Sequence, residues 1–171
     1  MSPSDPIIIS KGWKTGAHPL FVDQLAKLID AVEREKARDP ARYRDGANAK
    51  LLAAILKLIL DVIPNDPSLP AFRQGDTLGA NRKHWFRAKF GAGRFRLFFR
   101  FSSSTKIILF AWINDEKTLR TYGSKTDAYR IFVKMLDAGN PPDNWAALHA
   151  AATEPEAAAR LVAIVRQARE I

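Results

Sequence analysis

The sequence predicts an α+β domain. Three observations carry this: two long stretches with helical apolar spacing near the N-terminus, three consecutive aromatic-rich strand patterns joined by short turns, and further helical stretches after them. At 171 residues the chain has room for one domain with a real core plus an extension. The division expected is residues 1–150 as the domain and 151–171 as a C-terminal helical extension of it.

The elements follow in order. "IIISKGW", Ile7 to Trp13, reads as a short strand with a turn at Gly12 or Gly16. "HPLFVDQLAKLIDAVEREKARDP" reads as a helix with Pro19 in its first turn; Phe21, Leu25, Leu28, Ile29 and Val32 form one apolar stripe, and Pro40 closes the region. A second helix runs from about Ala47 to Ile63. Its stripe of Leu52, Ile55, Leu56, Ile59 and Ile63 is widened by Leu51, Leu58 and Val62, which predicts burial on more than one side. Residues 64–83 are rich in Pro, Gly, Asn and Asp and form a long loop, a type of segment that often carries function.

Strands are expected at His84–Phe90, Arg94–Ser102 and Lys106–Ile113. The joins "GAG" and "SSST" are short, so the three form an antiparallel meander. "KIILFAWI" is apolar on both faces and belongs in the sheet centre. After the polar stretch "NDEKTLRTYGSK", Thr126 is expected to cap a helix reaching Ala138, with Tyr129, Phe132, Val133 and Leu136 inward and Gly139 as its stop. Asp143–Ala152 and Pro155–Arg169 read as two last helices. The second, with Leu161, Val162, Ile164 and Val165, either packs on the domain or awaits a partner.

Cysteine is absent, which removes disulfides, thiolate zinc sites and cysteine nucleophiles together and fits a reducing cytoplasm. His18, His84 and His149 lie far apart with no ligand spacing, so no metal site is expected from them, scattered carboxylates being the alternative holders of magnesium; no cofactor is expected. No apolar run approaches the ~20 residues of a membrane span, and "MSPSDPIIIS" lacks the pattern of a signal peptide. The net charge of +9 is concentrated: residues 73–106 hold nine basic residues and one acid, Asp76. A localised excess of this kind points to a polyanion or phosphate partner; the plainer reading is solubility or protection of a strand edge.

Alternation assigns this charge to one face. Phe86, Ala88, Phe90, Phe95, Leu97, Phe99 and Phe101 point to the core. Arg87, Lys89, Arg94, Arg96 and Arg100 share the opposite face with Trp85 and Phe98. Pairing apolar with apolar sets Ala88 opposite Phe95 and Phe86 opposite Leu97. That register places Arg87 against Arg96 and Lys89 against Arg94. Opposed like charges destabilise a sheet, and a bound anion explains their retention: guanidinium groups match phosphate. Trp85 and Phe98 on that face are expected to stack on unpaired bases. The bland alternative is a solvated face whose arginine stems cover apolar surface.

Four stretches, "PAFRQGDTLG", "HWFRAKFGAGRFRLFFRFS", "IILFAWINDEKTLRTYGSKTDAY" and "GNPPDNW", occur in order and together resemble the YhaV toxins of bacterial toxin–antitoxin pairs, within the RelE/ParE superfamily. The resemblance covers about residues 12–146. It implies a RelE-like fold, with two helices on one face of a small twisted antiparallel sheet. It also implies a metal-independent endoribonuclease that cuts mRNA in association with the ribosome, inhibiting translation. A PrlF-type antitoxin would neutralise it, and the complex would bind its own operator DNA through the antitoxin. The strand positions that clamp the scissile phosphate in RelE-like nucleases match Arg87, Lys89 and Arg96. Arg120 and Tyr122 match a further arginine and tyrosine after the last strand, at a different spacing.

On this reading Arg87 and Arg96 hold phosphate oxygens, and Lys89 or Arg94 assists the leaving oxygen. Tyr122 or Lys89 moves the proton. Lys83, Trp85, Phe98, Arg100, Lys117 and Lys125 are the expected RNA contacts. His84 is a tempting base, but alternation turns it toward packing. His18 reads as a turn or cap residue and His149 as surface. Asp115 and Glu116 either cap their loop or hold Arg120. Two other classes share the features so far: a non-catalytic nucleic-acid-binding module, and a ParE-like gyrase inhibitor. The retained clamp favours the nuclease.

Overall fold

The computed structural model of the chain describes residues 7–115 and 127–171. A five-stranded sheet lies between two helical layers. Its strands are β1 (Ile8–Ser10), β2 (Trp13–Ala17), β3 (Phe86–Phe90), β4 (Phe95–Ser102) and β5 (Ile107–Ile113), in the spatial order β1-β2-β5-β4-β3.

The first predicted strand is a hairpin. Lys11 and Gly12 both take positive φ, 51° and 84°, the two-residue turn whose twist suits paired strands. β2 then lies parallel to β5, with Lys14 opposite Ile107 and Ala17 opposite Phe110. The sheet is therefore mixed, while β3, β4 and β5 form the expected antiparallel meander.

One face packs on α1 (Pro19–Arg38) and α2 (Ala47–Lys57). Helix α1 starts at Pro19, and the His18 side chain caps it, Nδ1 accepting from Leu20 N–H at 3.1 Å. Beyond α2 the coil widens into a π-helical turn, Leu58–Val62, then closes in a single turn, α3 (Ile63–Asn65). Pro64 has no N–H to donate and its ring crowds the preceding turn, which accounts for the widening and for the helix ending there. Phe21, Leu25, Ile29, Leu52, Ile55 and Ile59 meet Leu97, Phe99, Ile108 and Phe110 in this core. Leu161, Ile164 and Val165 of α6 (Pro155–Arg169) join the same core.

The second face is also covered. Helices α4 (Ala128–Asp137) and α5 (Trp145–Thr153) lie on it, and Trp85, Phe98, Leu109, Trp112, Tyr129, Phe132 and Leu148 form a second core. Phe132 is central, with ring centroids 4.2 Å from Phe98 and 5.0 Å from Trp85. A bulge in β5 serves this core. Phe98 pairs with Trp112 and Phe99 with Phe110, so Ala111 is skipped and both Ala111 and Trp112 face the second layer. Helix α4 is capped by Asp127, which accepts from Tyr129 N–H; Thr126 lies outside the described residues.

Candidate functional site

The β3–β4 hairpin differs in register from expectation by two residues. Ala88 pairs with Leu97 and Phe90 with Phe95, so Arg87 faces Phe98 and Lys89 faces Arg96. The cause is the turn. Gly91, Ala92 and Gly93 all take positive φ, and Arg94 N–H closes back on Gly91 O at 3.2 Å, so Arg94 belongs to a four-residue turn. This register stacks Phe90 on Phe95 at 5.4 Å and brings the Phe86 ring, tilted, to 4.8 Å from Phe101. A two-residue shift leaves the side chains of the paired strand residues on their predicted faces, whereas Arg94 moves into the turn.

That face is not open. Arg87 and Arg96 are 9% and 4% exposed. The hydroxyl of Tyr129, reaching down from α4, accepts from Arg87 Nε at 2.9 Å and from Arg96 Nε at 3.2 Å. Arg87 also donates from Nη1 to Ala71 O at 2.7 Å, which brings the long loop into the site, and Arg96 donates from Nη1 to Gly93 O. Asn114 fixes the same corner: its Oδ1 accepts from Arg96 N–H at 2.6 Å and its Nδ2 donates to Arg94 O at 3.2 Å. Neither Arg87 nor Arg96 has a carboxylate partner among the described residues. Buried guanidiniums usually pair with an acid; here the described partners are a hydroxyl and backbone carbonyls. Lys89 and Arg94 are exposed beside them.

Several expected RNA contacts sit elsewhere. Trp85 and Phe98 are fully buried in the second core and present no ring face to a base. Both residues were needed as core because α4 and α5 cover this side of the sheet. Arg100 is also withdrawn. Its guanidinium lies 5.8 Å from the Trp85 ring and 5.3 Å from the Trp145 ring, and Nη1 donates to Asp143 O at 2.7 Å. Burial lowers its pKa, with Asp143 opposing the shift. Lys83 is exposed and 3.4 Å from Asp76. Lys117, Arg120, Tyr122 and Lys125, together with Glu116, lie outside the described residues.

His84 belongs to a latch rather than to the arginine pair. Asp143 Oδ1 accepts from Trp85 Nε1 at 2.7 Å and lies 2.7 Å from His84 Nε2, with Arg82 at 3.8 Å from Oδ2. Burial pushes the Asp143 carboxyl up, but hydrogen bonds from His84 and Trp85 and the charges of His84 and Arg82 outweigh it, so its pKa lies below the usual carboxylate value. The latch ties the loop before α5 to the start of β3. His149 stacks on Trp145 at 6.2 Å, half-buried on α5.

Tyr129 is the site residue that periodicity alone reads as core. The available signal was chemical: a tyrosine in a buried stripe needs a partner for its hydroxyl, and the facing strands carry arginines.

Fold and site together define a small α+β domain that buries two guanidiniums at one end of its sheet, without a carboxylate partner among the described residues. Residues 15–153 match the family described as "Toxin with endonuclease activity, of toxin-antitoxin system". The chain belongs to this family, the YhaV toxins. It is 51% identical over 138 residues to "Toxin YhaV" of Escherichia coli O6:H1, covering 80% of this chain and 90% of that protein. It has the same identity and coverage with "Ribonuclease toxin YhaV" of Escherichia coli K12. No solved structure matches it.

Proposed function

We propose that this toxin is an endoribonuclease that cuts mRNA, in association with the ribosome, by activating the RNA's own 2′-hydroxyl. The observation that carries the reading is the pair of buried guanidiniums, Arg87 and Arg96, without a carboxylate partner among the described residues, beside exposed Lys89 and Arg94. RNA supplies the nucleophile, so the protein must align it, stabilise the charge that grows on the phosphate, and move two protons. Arg87 and Arg96 provide the fixed positive field, and Lys89 and Arg94 meet the phosphate and the leaving oxygen from the surface. Tyr122 or Lys89 transfers the proton. The chemistry needs no metal. Cleavage would stop translation in the cytoplasm until a PrlF-type antitoxin covers the site, and the complex would bind operator DNA through that antitoxin.

The test is a map of mRNA 5′ ends after brief expression, with purified protein assayed in excess EDTA. New ends are expected in the wild type, and cleavage should persist with the chelator. Arg96→Ala should abolish the ends while circular dichroism shows a folded chain. Full cleavage by folded Arg96→Ala, or strict dependence on magnesium, overturns the reading.

A further inference from the structure

We propose that Tyr129 is a positioning residue for this nuclease: its hydroxyl sets the spacing and orientation of the Arg87 and Arg96 guanidiniums toward the phosphate. The inference rests on the preceding reading of the arginine pair.

Two guanidiniums on neighbouring strands repel one another, and flexible stems would let them diverge. Here a single oxygen accepts from both Nε groups, at 2.9 and 3.2 Å. A phenol oxygen has two lone pairs, enough for two donors. The Tyr129 ring also lies 5.7 Å from the Arg96 guanidinium, so one side chain contacts that cation through both its oxygen and its ring face. Each Nη1 is fixed in turn by a backbone carbonyl, Ala71 O or Gly93 O. Three anchors of different origin, a helix side chain, the long loop and the hairpin turn, thus hold two of the three nitrogens of each group. Among the described residues no hydrogen-bond partner engages either Nη2, and neither is a fully buried orphan. Among the described residues, one donor edge on each arginine is thus left for a ligand.

The chemistry of the anchor is the informative part. A carboxylate at this position would hold the arginines more strongly, but it would neutralise them. A neutral hydroxyl orients both cations and leaves their charge intact. If the pair served only stability, an acid would be the better residue.

Tyr129→Phe removes one oxygen and keeps the ring packing against Phe98. The folded variant is expected to cleave RNA with kcat reduced roughly 10- to 100-fold, the range that small misplacements of catalytic groups cost, and with KM within about threefold of the wild type. Nitrogen-15 NMR reads the anchor directly. In the wild type the Nε–H protons of Arg87 and Arg96 should exchange with water far more slowly than that of exposed Arg94. In Tyr129→Phe both should lose this protection while Arg94 is unchanged. Wild-type kcat in Tyr129→Phe overturns the inference, as does unprotected Nε–H exchange at both arginines in the wild type. If Tyr129→Phe does not fold, the wild-type exchange rates alone decide. Arg96→Ala run in parallel separates the two claims. Its full activity would remove the arginine pair from the reaction; an inactive Arg96→Ala with a fully active Tyr129→Phe would remove only Tyr129.

Discussion

Lys89 and Arg94 differ from Arg87 and Arg96 in what surrounds them. They are exposed, one in β3 and one in the hairpin turn, so the field they present to an anion is screened by salt. Replacing both with alanine should leave thermal stability unchanged and weaken RNA binding. The slope of log affinity against log salt should fall by about 0.7 for each phosphate contact removed. Binding isotherms at several salt concentrations would check this, and an unchanged slope would place the RNA elsewhere. At this scale alternation correctly grouped Arg87, Lys89, Arg96 and Arg100 on one face, with Arg94 displaced into the turn. It could not say that the face was covered. Trp85 and Phe98 stood among arginines and read as stacking platforms, whereas they complete a second core with Phe132 and Trp112. The clue was present in "KIILFAWI": a strand apolar on both faces implies a layer on each side.

Helix α1 shows how one element joins sequence signal to pH. His18 is buried at its start and caps it through Nδ1, a bond that only the neutral ring can accept. Burial lowers the His18 pKa, with Asp23 partly opposing. The unfolded chain therefore binds a proton more readily, and stability is complete above the ordinary histidine value. It is lost as pH falls through that value toward the lowered folded one. His18→Asn keeps a capping group and should remove this pH dependence; His18→Ala should cost about 1 kcal/mol at neutral pH and remove it as well. Thermal melts between pH 5 and 8, a span on the order of the histidine range, would measure both. Helices with wide stripes and strands with short joins were legible as elements. The β3–β4 register was not, because consecutive positive-φ residues at Gly91, Ala92 and Gly93 make a longer turn than "GAG" between strands suggests. The β5 bulge leaves no local pattern either, since Ala111 and Trp112 are both apolar.

The whole molecule depends on elements from both ends of the chain. Helix α6 contributes Leu161, Ile164 and Val165 to the core beneath α1. Burying each such side chain is worth about 1.5–3 kcal/mol. Their sum is comparable to the ~5–15 kcal/mol that holds a typical domain together. A chain lacking residues 155–171 should therefore show no cooperative thermal transition by circular dichroism; a sharp melt would make α6 dispensable. The α+β class and the order of elements could be read from periodicity. The parallel β2–β5 pairing could not, because nothing local records which distant strand a short N-terminal hairpin joins. That pairing has a consequence for how the protein is born. Lys14 meets Ile107, and Gln24 closes on the backbone of Ile113 across 89 residues. Contacts of such separation form slowly, since loop closure must precede their reward. During synthesis the N-terminal hairpin has no sheet to join until β5 has left the ribosome. This endonuclease toxin thus completes its architecture only when its own message is mostly translated.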